Sequence, residues 1–403
     1  MKRIAVIGGG ASGLIAACFA AERGSVVVFE KQKKIGRKIL VSGNGRCNLS
    51  NRFIDAARYH GKNPKFVNNV FARFGPDDTL AFFLSISIPV VELERGRLYP
   101  ASLQSSSVVK VFEYELARRG VDVRLHRKIE SIRRGNDGFR LTTAGKETHD
   151  FDAVILAAGS CAYAPAGASS IGYELAASTG HTVREPFPAI LPINIPNKAL
   201  HRLEGIKWDV GAALEANGRT VARSAGELLF TKYGISGPAA LDISRAANEN
   251  VLARRSPVIT IDLFPERSRD ELRATLESLW SDANKPIAFS LAGILKERMP
   301  EVLCELAGID PETRIAHAGA AERDRLIATM KDLRLQPGEP RPFAEAVVAA
   351  GGVPVDEIDP ATMESRIAKG LYITGELLDI DGDTGGFNLQ FAWSTGAIAG
   401  TAV

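Results

Sequence analysis

Three glycines and one acid near the start of the chain are spaced to hold a dinucleotide. Gly8, Gly10 and Gly13 follow the apolar run 2–7 at G-x-G-x-x-G spacing, and Glu30 closes the next apolar run, SVVVFE. In such a pattern Gly8 allows the tight strand-to-helix turn, Gly10 lets the backbone approach a diphosphate, and Gly13 lets helix and strand pack closely. Ala11 and Ser12 complete the turn, so a diphosphate would rest on unpaired N–H groups at a helix N-terminus. Glu30, followed by Lys31, can accept both hydroxyls of a ribose and would repel a 2′-phosphate.

Two later segments repeat this chemistry. DAVILAAGS ends a buried run at Ala157 and Gly159, and LYITGELLDIDG presents Gly375 and Glu376, a pair suited to ribityl and diphosphate hydroxyls. Gly386, Phe387 and Asn388 then open a small-residue helix, whose N–H groups would stabilise the negative charge of a reduced flavin at N1 and its C2 carbonyl oxygen. Each of these, taken singly, could also be an ordinary glycine turn. Together they call for a ligand that touches three strand ends, and FAD fits that better than NAD. Only one full fingerprint is present, so NADH or NADPH would bind transiently as electron donor.

These residues need a strand–helix–strand unit at the start of the chain and a strand, glycine loop and helix at its end. The pattern predicts strands over 2–7, 121–125, 152–156 and 370–374, with helices over 12–23, 107–119 and 387–399. Further strands are expected over 129–133 and 139–143, joined through Asn136, Asp137 and Gly138. Ile129, at the head of that hairpin, is counted with the cofactor residues. After Pro186 the character changes: 207–215 and 219–230 flank Asn217-Gly218, a type I′ turn pair, and 258–263 is another strand. Helices with charged faces follow over 266–333, beginning at Ser268 and Glu271 in capping-box spacing. A strand over 344–350 and a turn at Gly351-Gly352-Val353 lead back to the C-terminal unit. The expected fold is α/β. A Rossmann-type FAD-binding domain (1–187 and 345–403) would carry an inserted β-rich substrate domain (188–265 and 334–344) and a helical subdomain (266–333).

Composition narrows the class. With 403 residues, 45% hydrophobic and 24% charged, the chain has room for two or three domains and the balance of a soluble globular protein. Its richest apolar run, 81–91, falls short of the roughly 18 residues a membrane span needs, and a cytoplasmic location is expected. Cys18, Cys47, Cys161 and Cys304 are scattered without C-x-x-C spacing, and the six histidines do not cluster. No metal, disulfide framework or redox disulfide is therefore expected. A net charge of +3 neither requires nor excludes a nucleic-acid partner. The run KQKKIGRK, with Arg37 and Lys38, would serve a phosphate or an acidic substrate, or form a solvated face.

The segments GRKILVSGNGRCNLSN, GRLYPASLQSSSVV, FTKYGISGPAALDISR, GGVPVDEI and GLYITGELLDIDGDTGGFNLQFAWSTG resemble, in order, those of the YhiN/BaiN-type family of FAD-dependent flavoproteins. The resemblance covers essentially the whole chain. It implies an FAD domain, a β-barrel-like domain and a small helical domain, with Ser42, Gly43 and Asn44 close to the flavin. Cys47 beside them reads as a packed thiol or a general acid. In the family's FTHxGxSGP motif a histidine often stands where this chain has Lys232.

Activities attached to the family are reduction of carbonyl-conjugated C=C bonds, in steroid enones or a ribosomal RNA uracil, and oxidation of small amines. The expected function is an FAD-dependent oxidoreductase reducing such a bond in a small-molecule or RNA substrate, with electrons from NAD(P)H. That chemistry asks for an oxyanion donor and a proton source, for which Lys232, Tyr233 and Ser236 are the candidates; the same loop could equally be a structural turn. The alternatives are an amine oxidase using O2 and a non-catalytic, FAD-stabilised RNA- or protein-binding factor. The oligomeric state is open.

Overall fold

Ile4, Ala5 and Val6 are completely buried, and Ile7 nearly so. A strand in that state must be covered on both faces, as in a parallel sheet. The run forms β1 (Lys2–Ile7), followed by α1 (Ala11–Ala20), β2 (Gly24–Phe29), β3 (Asp122–Arg124) and β4 (Ala153–Leu156). The middle of the chain supplies β5 (Ile193–Asn194), β6 (Lys207–Ala216), β7 (Arg219–Thr231), β8 (Gly234–Ser236), α2 (Pro238–Leu252), β9 (Val258–Asp262), α3 (Arg269–Leu279), α4 (Ala320–Lys331) and β10 (Leu333–Leu335). The chain returns with β11 (Leu371–Ile373) and ends in α5 (Phe387–Ala402). The computed structural model describes residues 1–135 and 138–403. The expected turn at Asn136 and Asp137 lies outside them.

The chain divides into two compact units, Met1–Phe187 with Ala346–Val403, and Pro188–Glu345. In the first, the sheet order is β11-β4-β1-β2-β3 and the pairings are parallel. The last helix packs on the first: a Cβ on Gly396 would stand 2.2 Å from the Ser12 carbonyl oxygen, and one on Gly400 2.3 Å from that of Ala16. Only glycine allows the two backbones this close. Trp393 of α5 stacks on Phe112 at 5.9 Å and meets Phe83 edge-on, filling the space behind the sheet.

The expected 344–350 strand begins later, at Val348, and runs through Gly351 and Gly352. The two glycines are therefore strand residues, not a turn. Both have positive φ, and side chains there would strike the carbonyl oxygens of Glu185 and Leu377.

The second unit is built on an antiparallel sheet in the order β5-β8-β7-β6-β9-β10. Asn217 and Gly218 join β6 to β7 with φ of 51° and 72°, the signs a type I′ turn requires. Ser268 caps α3 with both capping-box bonds to Glu271. Leu272 and Leu276 of α3, and Leu326, Ile327 and Met330 of α4, share one hydrophobic core with the sheet residues Val210, Leu214, Ile259 and Ile261. Among the described residues no helix is long and apolar enough to cross a membrane.

Candidate functional site

The turn between β1 and α1 is dictated by backbone crowding. Gly8 has φ +112°, and a Cβ there would lie 2.3 Å from the Ala157 carbonyl oxygen; a Cβ on Gly13 would lie 1.9 Å from that of Gly8. Gly10 is different. As N-cap of α1 it has ordinary extended φ and ψ, and nothing lies within 4 Å of its Cβ position. The helix N-terminus therefore faces open space. Beside it the Glu30 carboxylate accepts from Gly9 N at 2.8 Å and from Gln32 N at 2.7 Å. Each oxygen keeps lone-pair capacity for a hydroxyl donor.

That space is one end of a groove open to solvent. Of the sequence candidates, Gly8, Gly10, Ala11, Ser12, Glu30, Lys31, Arg37, Lys38, Ala157, Gly159, Glu376 and Asn388 line it. Ile129 lines an adjoining recess with Phe29 and Leu175, and that recess shares Gly8, Glu30 and Lys31 with the groove. Gly13, Ser42, Gly43, Asn44, Gly375, Gly386 and Phe387 are not among the wall residues of either.

The cationic wall is held in place by polar contacts. Arg37 donates to the Gln32 side chain at 2.5 Å and to the Pro165 carbonyl at 3.0 Å. Lys31 bonds the Ser169 hydroxyl, and partial burial pushes its ammonium below the usual lysine range. Lys38 Nζ lies 2.5 Å from a Glu376 carboxylate oxygen that also accepts from Ser160 Oγ at 2.9 Å. With Lys34 included, the groove carries four cationic side chains against two carboxylates. An anionic ligand is favoured.

A second set of candidates gathers at the N-terminus of α5. Gly43, Asn44 and Gly45 all have positive φ, forming a left-handed turn that leaves Asn44 and Arg46 exposed. A Cβ on Gly43 would meet Asn48 N at 2.8 Å, and one on Gly386 would meet the Ser50 carbonyl oxygen at 2.3 Å. The 42–46 turn and the 385–388 turn thus both pack against segment 48–50. Asn388 turns its amide to the preceding loop, bonding Gly382 N at 2.8 Å and Gly382 O at 2.7 Å. Phe387 is buried edge-on against Tyr59. The Cys47 thiol is fully buried and pushed up to about 12 by that burial, the state of a packed thiol.

Lys232, Tyr233 and Ser236 belong to the second unit. Lys232 is exposed and, with Tyr233, makes the tight turn from β7 to β8. The Arg341 guanidinium lies 3.7 Å from the centroid of the Tyr233 ring. Ser236 is half-buried on β8. Among the described residues no group of three or more His, Cys, Asp or Glu side chains could hold a metal ion.

Sequence reasoning did not single out Gly9, Gln32, Ser160 or the 166–168 stretch, all on the groove wall. Gln32 had a signal: it follows Glu30 by two positions, the spacing at which a carboxylate accepts a backbone N–H. The others depend on long-range packing.

Comparison with known proteins adds four findings. The HI0933-like protein Rossmann domain matches residues 2–402. The chain is 36% identical over 408 residues to a 3-dehydro-bile acid delta(4,6)-reductase of Clostridium scindens, covering 100% of this chain and 99% of that protein. It is 31% identical over 394 residues to a ribosomal RNA dihydrouridine synthase of Escherichia coli, covering 97% and 95%. Among solved structures, the 3-ketosteroid delta1-dehydrogenase of Sterolibacterium denitrificans shares the fold, with a TM-score of 0.52 at 12% identity over 99% of both chains.

Proposed function

Because the chain belongs to the HI0933-like Rossmann-domain family, we propose that it is an FAD-dependent oxidoreductase that reduces a C=C bond conjugated to a carbonyl, with electrons from NADH or NADPH. The observation that carries this reading is the groove in which the open N-cap of α1, the Glu30 carboxylate and the Lys38–Glu376 pair face one space. The two relatives named above act, by their names, on a bile-acid and on a ribosomal RNA substrate. Delta(4,6)-reduction and dihydrouridine formation both saturate a double bond polarised by a carbonyl. A small molecule and an RNA are therefore both proposed as substrate classes.

The residues present fit FAD. The N–H groups around Gly10, Ala11 and Ser12 would take the diphosphate without reorganising, since nothing fills the space before them. Glu30 would accept the adenosine ribose hydroxyls while its backbone bonds fix its position. Ile129 and its apolar neighbours would cover the adenine. Glu376 would accept ribityl hydroxyls, and Lys38, Arg37 and Lys31 would balance the diphosphate charge. When bound, FAD supplies the hydride transfer. The chain's own part is to orient the partners, polarise the substrate carbonyl and deliver a proton to the α carbon. Lys232, Tyr233 and Ser236 are proposed for that delivery, with Arg341 fixing the Tyr233 ring.

The test is anaerobic titration of the purified protein. Expected are a bound flavin whose visible band bleaches with NADH or NADPH, and its return on adding a conjugated enone or a uridine-containing ribosomal RNA fragment, with a saturated product by mass analysis. A protein without bound flavin would overturn the reading, as would bleaching by small amines alone with peroxide formed in air.

A further inference from the structure

Residues 159–170 run beside the groove, from the end of β4 to the helix Ile171–Ser178. The stretch is mostly alanine, glycine and serine. Ala162 and Ala166 are buried, but a methyl group contributes little apolar area. Tyr163, its one large side chain, is half-buried, and Pro165 is exposed. Two of its backbone bonds, Ala166 N to the Tyr163 carbonyl at 2.9 Å and Gly167 N to the Ala164 carbonyl at 2.8 Å, stay within the segment. Gly159, where it leaves the strand, has φ +70°, and a Cβ there would meet nothing within 4 Å.

Polar contacts from the cationic wall hold the segment against the groove. Lys31 bonds the Ser169 hydroxyl, and Arg37 donates to the Pro165 carbonyl at 3.0 Å. Ser160 Oγ donates at 2.9 Å to the Glu376 oxygen that pairs with Lys38. Arg37 is itself aimed by the Gln32 side chain, which lies 2.5 Å from the Cβ position of Gly167. Ala166, Gly167 and Ala168 in turn line the groove.

This arrangement favours an anion. With the segment in place, Lys31, Lys34, Arg37 and Lys38 share one space with two carboxylates. Like charges repel more strongly where water is excluded, and partial burial makes the Lys31 ammonium harder to keep charged. A diphosphate in the groove relieves both effects. An ammonium has three donors and a guanidinium five. Each cation can therefore hold the segment and still donate to a diphosphate.

We propose that residues 159–170 are a strap over the cofactor groove, shut when a diphosphate shares Lys31, Arg37 and Lys38 with it and loose when the groove is empty. The strap sets how fast the cofactor leaves; it takes no part in the chemistry. The identity of the ligand rests on the FAD reading above, whereas the latch needs only a diphosphate.

Amide hydrogen exchange on the full-length protein tests it, with the groove loaded with FAD, stripped, or given inorganic pyrophosphate. Amides over 160–169 should exchange about tenfold or more faster in the stripped protein than with FAD, since each hydrogen bond lost shifts an opening equilibrium by roughly two- to tenfold. Pyrophosphate should restore part of the protection. Ser169→Ala and Gln32→Leu remove latch contacts and leave the N-terminus of α1 intact. Both should speed FAD release by about fivefold or more, with the protection of amides 11–13 by FAD unchanged. Exchange over 160–169 that ignores FAD while amides 11–13 become protected overturns the strap, as does an unchanged release rate in both variants. The wild-type exchange comparison decides even where a variant fails to fold. A protein that takes up no FAD removes the oxidoreductase reading instead. Pyrophosphate then decides the strap: protection over 160–169 supports it, and unchanged exchange overturns it.

Discussion

Lys38 and Glu376 are 338 positions apart in sequence, and their charged atoms stand 2.5 Å apart in the fold. Ser160 Oγ donates to the same carboxylate oxygen, so segments from the start, middle and end of the first unit meet on one atom. The pair is half-buried, at 32% and 19% side-chain exposure. Half-exposed ion pairs contribute only about 0–1 kcal/mol to stability. Glu376→Gln should therefore leave the melting temperature almost unchanged while raising the Kd for FAD by about tenfold, the loss of one charge-assisted hydrogen bond. Calorimetry and cofactor titration on the same sample check both halves.

Two neighbouring glycines should respond in opposite ways. Gly10→Ala meets no atom within 4 Å, so the apo fold should melt within about 1 kcal/mol of wild type, a small N-cap effect. Its methyl group would occupy the space before the helix and cut FAD affinity sharply. Gly13→Ala places a methyl 1.9 Å from a backbone oxygen and should destabilise the apo fold by about 3 kcal/mol or more. Denaturant melts of apoprotein separate the two.

Burial pushes the thiols of Cys18, Cys47 and Cys304 up to about 12. An unfolded thiol ionises near 8.5, so between that pH and about 12 the unfolded chain binds fewer protons than the folded one. The stabilisation is fully present below the lower value and is lost as pH rises through the window. Urea midpoints should fall from pH 9 upward, and Cys→Ser variants at these sites should show a shallower fall. In the folded protein at pH 8, iodoacetamide should spare all three.

Ser365 Oγ, His181 and Glu357 form a chain of hydrogen bonds of 2.8 and 2.7 Å. The spacing imitates a hydrolase triad, yet the hydroxyl already accepts from Ile367 N and Ala368 N, and the histidine side chain is 0% exposed. No fluorophosphonate labelling of Ser365 is expected. His181→Ala should destabilise the protein by about 1–3 kcal/mol through orphaned buried partners, read from equilibrium unfolding.

The local parts of the site were legible in the sequence because they obey local rules. The β1–α1 turn, Glu30 at the end of β2, the Asn217-Gly218 turn and the Ser268 cap each depend on residues a few positions apart. The Lys38–Glu376 bond, the Asn48–Gly386 approach and the Asn51–Arg97 pairing join distant segments, and no periodicity announces them. Gly351 and Gly352 misled for the opposite reason. Glycine marks a turn and a tight strand crossing with the same letter, and only the neighbouring Glu185 and Leu377 carbonyls tell the two apart.

The seating of the last helix on the first has a bearing on how the protein is made. Synthesis runs from β1 onward, but β1 and α1 must wait for β11 and α5 before their sheet and groove are finished. Pro188–Glu345, with its own core, emerges whole in that interval and can fold first. The unit formed by Met1–Phe187 and Ala346–Val403 is then the later of the two to mature. Without α5, the apolar flank of α1 would lose the helix that covers it.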